Sequence, residues 1–348
     1  MGRTVKIGVI GCGNWGGNHA RALVGLGALG AVCDTDRARA ARLATETDSR
    51  VLTVDQMLDD PLIGGVVLAL PAAFHPPVAR RAIAAGKHVL VEKPMALDRA
   101  TAAELAQLAR TSGVVAMTGH VLRFHPAFER LEQMVAQRAL GALRHVETQR
   151  IGLGRFFDGV DVVWDIAPHD LSLVLALMPA PPVRVHLESA AILTAGLADT
   201  AHLHLGFDGG VNAHCHVSRL SPGRRERRLT VLCDNGTLVF DDTEPWGRKL
   251  LVQHHIIRGA VGAEITVEAA DPEFLPVAET APLRAELAHF LDCIASGAHP
   301  RASFDEGVAV IEILDRMTVG TGAPPDLLAA HIPDRVLPIP GMPRVLAR

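Results

Sequence analysis

The chain of 348 residues is 49% hydrophobic and 21% charged, which is typical of a folded protein of about two domains and argues against disorder. Its formal net charge of −4 leaves no excess of lysine and arginine, so nucleic acids and membrane surfaces are not expected as partners. An apolar strand begins at Val5 and no apolar run is long enough to span a membrane, so we expect a cytoplasmic protein without a signal peptide. The five cysteines are scattered without CxxC spacing, which indicates reduced thiols.

Over the first 120 residues, short β-branched runs alternate with amphipathic stretches, as in βαβ units around a parallel sheet. The last predicted helix of this part has an N-cap at Asp98 and a glycine, Gly113, just past its end. Strands are predicted over 5–10, 29–33, 65–70, 88–91 and 114–118, and helices over 17–27, 37–47, 75–85 and 98–111.

After about residue 121 the pattern changes to short strands separated by turn residues, which predicts a second, α+β domain. Helices are predicted over 126–138, 161–178, 283–296 and 304–319, and strands of an antiparallel meander over 182–190, 198–206, 211–218, 227–233 and 236–241. Residues 242–282 lack a clear period and are interpreted as an excursion on the meander. The predicted fold is therefore α/β: an N-terminal Rossmann domain over 1–121, with a doubly wound parallel sheet, and a C-terminal α+β domain over 122–348 on a mostly antiparallel open sheet.

A glycine-rich turn follows the first predicted strand and precedes a helical stretch. In the dinucleotide fingerprint that this pattern matches, Gly11 permits the tight turn, Gly13 lets the backbone approach a pyrophosphate, and Gly16 allows close packing of helix on strand. The helix N-terminus then favours the anionic pyrophosphate. The turn predicts a bound dinucleotide.

An acidic residue, Asp34, ends the second predicted strand 18 residues beyond Gly16. A carboxylate at this point accepts a hydrogen bond from the ribose 2′-hydroxyl, and it would repel a 2′-phosphate. The sequence therefore favours NAD over NADP. Arg37 and Arg39 nearby keep NADP open as an alternative.

Two further groups of residues carry chemistry. Lys93, within Glu92-Lys93-Pro94, follows the strand-like run 88–91 at the sheet edge where ligands of open α/β sheets bind. Asp165 and His169 are four residues apart and can meet on one helix face, and Pro168 places the helix start near Asp165. Two interpretations stay open: an N-cap aspartate beside an ordinary histidine, or a carboxylate that orients a proton-transferring imidazole.

In this order, the glycine turn, Glu92-Lys93-Pro94 and the pattern of Asp165, His169 and Asp170 resemble the glucose–fructose oxidoreductase/inositol dehydrogenase family (Gfo/Idh/MocA). The resemblance implies that Lys93 binds the reacting hydroxyl and helps lower its pKa, that Asp165 hydrogen-bonds substrate hydroxyls, and that His169 is the general acid/base. More specifically, the chain resembles bacterial members of sugar-nucleotide and aminosugar or aminocyclitol pathways. The resemblance also implies a homodimer or homotetramer.

The predicted site falls into three sets of residues. The cofactor-binding set is Gly11, Gly13, Asn14, Trp15, Gly16, Asp34, Leu70, Pro71, His75, Glu92 and Lys93. The catalytic set is Lys93, Asp165 and His169, and the substrate-binding set is Lys93, His120, Arg123, Arg155, Asp165 and His169, with Arg150 as a further candidate. The basic run from Arg219 to Arg228 is interpreted as a solvated turn, or alternatively as a contact with an anionic substrate tail or a neighbouring subunit.

Two histidine pairs, His202 with His204 and His214 with His216, flank a predicted turn at 208–210. A suitable register would place all four imidazoles on one face of the sheet, where a metal is conceivable. We expect none, because no glutamate or cysteine completes either pair, a one-residue register change separates the pairs, and the family chemistry needs no metal.

These observations predict an NAD(P)-dependent oxidoreductase. The favoured reaction is an NAD-dependent dehydrogenation at a ring secondary alcohol of a sugar, sugar-nucleotide, aminoglycoside or cyclitol. Three alternatives stay open: an NADPH-dependent keto-sugar reductase, a lyase or hydrolase that recycles bound NAD, and a non-catalytic dinucleotide-binding regulator.

Overall fold

The first sheet is parallel, and its strands lie in the spatial order β3-β2-β1-β4-β5-β6. This is a computed structural model that describes residues 5–154, 160–223, 225–259 and 264–318. The order is that of a Rossmann fold and confirms the predicted fold class of this part. The strands are β1 (Lys6–Ile10), β2 (Leu29–Cys33), β3 (Arg50–Val51), β4 (Ile63–Leu68), β5 (His88–Glu92) and β6 (Ala116–Gly119).

Five helices accompany these strands, and their ends follow the capping signals in the sequence. Asp98 accepts a hydrogen bond from the backbone N–H of Thr101 at 2.8 Å, and Gly113 ends that helix in the left-handed region at φ 66°. Both capping predictions are confirmed. The helices are α1 (Asn14–Gly25), α2 (Arg37–Thr47), α3 (Val54–Asp59), α4 (His75–Ala84) and α5 (Arg99–Ser112).

The second half of the chain adds four helices and nine strands to the described structure. They are α6 (Pro126–Ala136), β7 (Leu143–Ile151), α7 (Val162–Ala176), β8 (Arg184–Ala190), β9 (Thr200–Gly206), β10 (Asn212–Ser218), β11 (Glu226–Cys233), β12 (Gly236–Asp241), β13 (Leu250–Arg258), β14 (Thr266–Ala269), β15 (Glu273–Phe274), α8 (Pro282–Ser296) and α9 (Phe304–Thr318).

The second sheet is open and mostly antiparallel, in the order β14-β13-β12-β11-β7-β10-β9-β8, with β15 paired to β13. Two expectations about it are wrong. Strand β7, which was not predicted, lies between β11 and β10 and pairs parallel with β10, so the sheet is not a pure meander. Strands β13, β14 and β15 fall inside the supposed excursion over 242–282. Strand β7 escapes a hydrophobicity pattern because its inward residues include Thr148 and Arg150.

The last two helices return to the first sheet. Leu287 and Phe290 of α8 are fully buried in one cluster with Ile7 and Val9 of β1. Just before α9, the carbonyl of Ala302 accepts a hydrogen bond of 2.8 Å from the backbone N–H of Thr118 in β6. Residues from the predicted second domain thus complete the core of the first, and the boundary at residue 121 stays a prediction.

The four histidines of β9 and β10 lie directly opposite one another, which corrects the expected one-residue register change. His204 faces His214 and His202 faces His216, with ring centroids 4.7 Å and 4.2 Å apart. Their strands bury the alternate residues, so all four rings share the outer face. The described residues contain no group of three or more side chains arranged to hold a metal ion.

Candidate active site

The glycine turn has no room for a side chain at Gly11 or Gly16 but has free space beside Gly13. Gly11 has φ +96°, and a Cβ on Gly16 would lie 1.7 Å from the Gly11 carbonyl oxygen, so both positions require glycine. A Cβ on Gly13 would meet nothing within 4 Å. Gly13 is the N-cap of α1, whose first N–H groups have no helical partner. The turn therefore offers free space at a helix N-terminus, which fits a pyrophosphate.

Asp34 lies beside this turn, at the end of β2. Its Oδ2 accepts a hydrogen bond from the backbone N–H of Cys12 at 2.7 Å, and its Oδ1 accepts one from Asp36 at 2.8 Å. Arg39 approaches Oδ2 at 3.5 Å and is half exposed. The Thr35 hydroxyl also donates to Oδ1, at 3.5 Å, so each oxygen has one short and one long contact, and a ribose hydroxyl would replace a long one. Asp34 thus fits NAD, while Arg39 is the group that a 2′-phosphate would use.

Residues Leu70 and His75 follow the end of β4. Leu70 contacts the space above Gly11, where a Cβ would lie 3.2 Å from its Cδ2. His75 is buried and donates from Nδ1 to the carbonyl of Pro94 at 2.9 Å, and burial lowers its pKa. His75 therefore ties the start of α4 to the segment after β5, and exposed Pro71 lies between the two residues.

Lys93 follows β5, as predicted, and contacts the first turns of α7. Its Nζ donates to the backbone carbonyl of Asp165 at 2.6 Å and to Asp165 Oδ1 at 3.1 Å. Behind it, Glu92 Oε1 accepts a hydrogen bond from His19 Nε2 at 2.7 Å, and Oε2 accepts one from the Lys93 N–H at 3.2 Å. Burial alone would raise the pKa of Glu92, but the His19 hydrogen bond and the nearby cations lower it. Glu92 is therefore an anion that supports the Lys93 backbone.

Helix α7 begins earlier than Pro168 indicated. Its N-cap is Asp161, whose side chain accepts a hydrogen bond from the Val163 N–H at 2.6 Å, so the interpretation of Asp165 as the N-cap is wrong. The helix continues through Pro168, which cannot donate to the carbonyl four residues before it. Asp165 consequently lies inside the helix, and its carboxylate pairs with Lys93 instead of capping the helix.

One cavity of about 440 Å³ brings the glycine turn and the catalytic candidates together. Asn14, Trp15, Lys93, Asp165 and His169 all line it. Two sides of the site, one from the Rossmann sheet and one from α7, thus meet as the resemblance implies. A dinucleotide on the turn would extend into the same space as the substrate.

His169 is the imidazole of this cavity. Burial, together with the positive charges of Lys93 and Arg150, lowers its pKa well below the usual value. Its Nδ1 is buried without a hydrogen-bond partner in the described chain. His169 is therefore neutral at physiological pH and able to accept a proton.

The structure does not bring all predicted substrate residues to this cavity. His120 directly follows β6 but is buried, and neither ring nitrogen has a partner within the described residues. Arg123 is buried and ion-paired with Glu132 and Glu306. Both line a neighbouring cavity between α7 and α9. Arg155 lies outside the described residues.

The cavity is also lined by a basic group from the run 219–228, which was interpreted as a solvated turn or, alternatively, as a contact with an anionic substrate tail or a neighbouring subunit. Arg219, Arg225 and Arg227 line it together with Arg150 of β7. The alternation of β11 could have indicated this for Arg227, because it shares parity with buried Leu229. The sequence from Arg219 to Arg228 did not show that these arginines line a cavity, because a run of charged residues is also typical of a surface turn.

Known proteins resemble the chain along nearly its whole length. Residues 5–120 match the oxidoreductase family with an NAD-binding Rossmann fold, GFO_IDH_MocA, and residues 128–239 match the GFO/IDH/MocA C-terminal domain. A UDP-N-acetylglucosamine 3-dehydrogenase from Acidithiobacillus ferrooxidans is 32% identical over 321 residues, covering 89% of this chain and 94% of the relative. The chain belongs to the GFO/IDH/MocA oxidoreductase family. The predicted family and the predicted enzyme class are confirmed.

Other relatives and solved structures support the same placement. The solved structure of the Acidithiobacillus enzyme has a TM-score of 0.78 at 30% identity, covering 91% of this chain and 97% of the other. GenD2 from gentamicin A biosynthesis, solved in complex with NAD, has a TM-score of 0.76 at 26% identity, covering 92% and 95%. A scyllo-inositol 2-dehydrogenase from Bacillus subtilis is 26% identical over 86% of this chain and 89% of its own length.

The buried His120 makes folding stability depend on pH. Burial, then the charges of Arg123 and Lys93, lowers its pKa to about 3, against about 6.5 in an unfolded chain. The unfolded state therefore binds the extra proton first, and stability falls as the pH drops below about 6.5. Between pH 7.5 and pH 5 we expect this residue to remove about 2 kcal/mol from the free energy of unfolding.

Urea unfolding of the wild type and of His120→Phe at both pH values measures this contribution. Between pH 7.5 and pH 5, the free energy of unfolding should fall by about 2 kcal/mol less in the variant than in the wild type. The exposed His186 provides the control, since His186→Phe should lose as much as the wild type. An equal loss in all three proteins would show that His120 titrates normally.

Proposed function

We propose that this protein is an NAD-dependent dehydrogenase that oxidises a secondary hydroxyl group on the ring of a sugar-like substrate. The observation that carries the proposal is the shared cavity. Asn14 and Trp15 of the cofactor turn line it together with Lys93, Asp165 and His169. Residues of the proposed cofactor turn, the Lys93 cation and the neutral His169 base therefore surround the same space.

The residues that would hold NAD are on the first sheet. Gly11, Gly13 and the N-terminus of α1 would bind its pyrophosphate, and Asp34 its adenosine ribose. When bound, NAD accepts the hydride from the carbinol carbon of the substrate. The free space above Gly13 supports this assignment.

Lys93, which Asp165 holds in place, stabilises negative charge on the substrate. The Lys93 ammonium holds two of its three protons on Asp165 oxygens, which leaves one for a substrate hydroxyl. The Asp165 carboxylate pairs with this ammonium and fixes it in place. As the hydroxyl loses its proton, the fixed positive charge of Lys93 stabilises the alkoxide.

His169 is the base that removes this proton. Its surroundings keep the imidazole neutral, so it can accept a proton from the hydroxyl. The same cations that lower its pKa also favour return of the proton to solvent. His169 thus acts on the proton while Lys93 acts on the charge that the proton leaves behind.

The relatives support a carbohydrate-like substrate, because their names describe dehydrogenases of a nucleotide-sugar and of an inositol. Within the described ranges, no helix has the length and apolarity needed to cross a bilayer. A cytoplasmic location, a homodimer or homotetramer, and the absence of nucleic-acid and membrane partners stay predictions.

Gly13 and Gly16 of the turn should respond differently to an added methyl group. Gly13→Ala should keep the stability of the wild type, because its φ of −68° suits alanine and nothing lies within 4 Å, but should weaken NADH binding at least about tenfold. Gly16→Ala should destabilise the fold itself, because its Cβ would overlap the Gly11 carbonyl. NADH fluorescence titration and urea unfolding measure the two effects. Unchanged NADH binding by Gly13→Ala would exclude this turn as the pyrophosphate site.

Replacing Lys93 tests the reaction. Lys93→Ala should lower turnover by about a hundredfold or more, with NADH affinity nearly unchanged, because a well-placed charge contributes about 3–4 kcal/mol to the transition state. The measurement is NADH formation across a panel of cyclic polyols, aminosugars and nucleotide-sugars. Lys6→Ala, at the exposed start of β1, should behave as the wild type. Unchanged turnover in Lys93→Ala would remove Lys93 from the mechanism.

Replacing Asp34 tests the choice of cofactor. The wild type should bind NADH more tightly than NADPH. Asp34→Asn keeps an acceptor for the Cys12 N–H but removes the charge, so it should reduce this preference at least about tenfold. Dissociation constants of both cofactors for both proteins give the ratio. A wild-type preference for NADPH would contradict the role given to Asp34 and favour the reductase alternative.

A further inference from the structure

Two arginines lie directly opposite each other on the inner face of the second sheet. Arg150 of β7 pairs with Arg227 of β11 across the strands, and each alternates with a buried neighbour, Thr148 or Leu229. Like charges at opposing positions destabilise a sheet. The arrangement therefore needs compensation by negative charge.

Protein carboxylates supply part of that compensation. Asp170 accepts three hydrogen bonds of 3.0–3.1 Å from the Arg150 guanidinium and is itself buried. Asp242 lies 3.3 Å from Arg227, but it is shared with Lys249, also at 3.3 Å. The charge of Arg150 is thus balanced by Asp170, whereas Arg227 shares its carboxylate partner with Lys249.

Arg219 and Arg225 have no carboxylate partner within 4 Å in the described part of the chain. Arg219 is only 4% exposed; one of its nitrogens donates to the Val160 carbonyl at 2.7 Å, and its Nε is buried without an acceptor among the described residues. A buried guanidinium donor without an acceptor is unfavourable unless a ligand supplies one. Arg225 is exposed on the cavity wall.

The charge of the cavity wall is consequently unbalanced. Three arginines that lack a full carboxylate partner line it. Two carboxylates also line it, but Asp165 is paired with Lys93, so only Glu226 is left to balance the arginines. Guanidinium groups bind phosphate oxygens through paired N–H donors, and a diphosphate carries enough charge for more than one of them.

We propose that Arg219, Arg225 and Arg227 form an anion subsite for a phosphate or diphosphate group of the substrate. This inference rests on the proposed dehydrogenase function, since it places the reacting ring at Lys93 and His169 in the same cavity. The substrate class is then a phosphorylated sugar or nucleotide-sugar. Neutral polyols lack the group that these arginines bind.

Binding of UDP and of uridine to the protein saturated with NAD⁺ tests the subsite. UDP carries the diphosphate but no sugar alcohol, and NAD⁺ prevents its binding at the cofactor turn. Isothermal titration calorimetry should show UDP binding about a hundredfold more tightly than uridine, as expected for hydrogen bonds between charged groups. Glucuronate, which carries a single carboxylate, should bind more weakly than UDP.

Variants assign the effect to the arginines. Arg225→Gln, at an exposed position that does not endanger folding, should weaken UDP binding about tenfold or more and leave uridine unchanged. Arg228→Gln is the matched control, because Arg228 directly follows Arg227 in β11, lies on the other face of the strand and pairs with Asp241. It should bind UDP as the wild type does.

Three results would overturn the subsite: UDP binding no tighter than uridine, equal losses in Arg225→Gln and Arg228→Gln, or glucuronate binding more tightly than UDP. Turnover provides an independent arm. UDP-N-acetylglucosamine should be oxidised with a higher kcat/KM than N-acetylglucosamine, and Arg225→Gln should raise KM with little change in kcat. Arginine-dependent UDP binding without NADH formation from any sugar would retain the subsite and reject the proposed dehydrogenase instead.

Discussion

The contact between the Lys93 ammonium and Asp165 is the interaction on which the rest of the site depends. It joins the end of β5 to α7, which are 72 residues apart in sequence and belong to the two halves of the fold. Because the contact is charge-assisted and partly buried, loss of either partner would leave the other charge poorly compensated. The Glu92–His19 hydrogen bond supports Lys93 from behind. The glycine turn and α7 are thereby held at one cavity.

Burial and a concentration of positive charge together keep the imidazole near that contact neutral. Burial lowers the pKa of His169 most, and the positive charges of Lys93 and Arg150 act in the same direction. The result is a neutral base beside fixed cations, which suits removal of a proton from an alcohol. Buried Asp170 prevents Arg150 from remaining unpaired, although burial raises the pKa of that carboxyl.

Local signals in the sequence predicted much of this arrangement. Helix α2 has the predicted bounds, and the glycine turn, Asp34 and Lys93 lie at strand ends as the βαβ pattern requires. These features depend on neighbouring residues, periodicity and capping, which a sequence displays directly.

Features that depend on distant pairing were not predictable in the same way. Strand β7 is stabilised at the centre of its sheet by two neighbouring strands, and its inward Arg150 breaks the apolar alternation. The partners of Asp165 and Arg123 are set by tertiary contacts with Lys93 and Glu306, so helical spacing alone could not identify them. The prediction from Pro168 placed the start of α7 too late, because packing keeps the helix intact on both sides of this proline.

The return of α8 and α9 to the first sheet affects how the protein can be divided. Leu287 and Phe290 fill the same core as Ile7, so a fragment ending after β6 would expose apolar surface that the intact chain buries. The core of the Rossmann half is thus completed by α8 and α9, so this half is not a module that recombination could transfer alone. An exchange of substrate specificity between relatives would therefore keep this core intact only if the exchanged segment lay between β6 and α8.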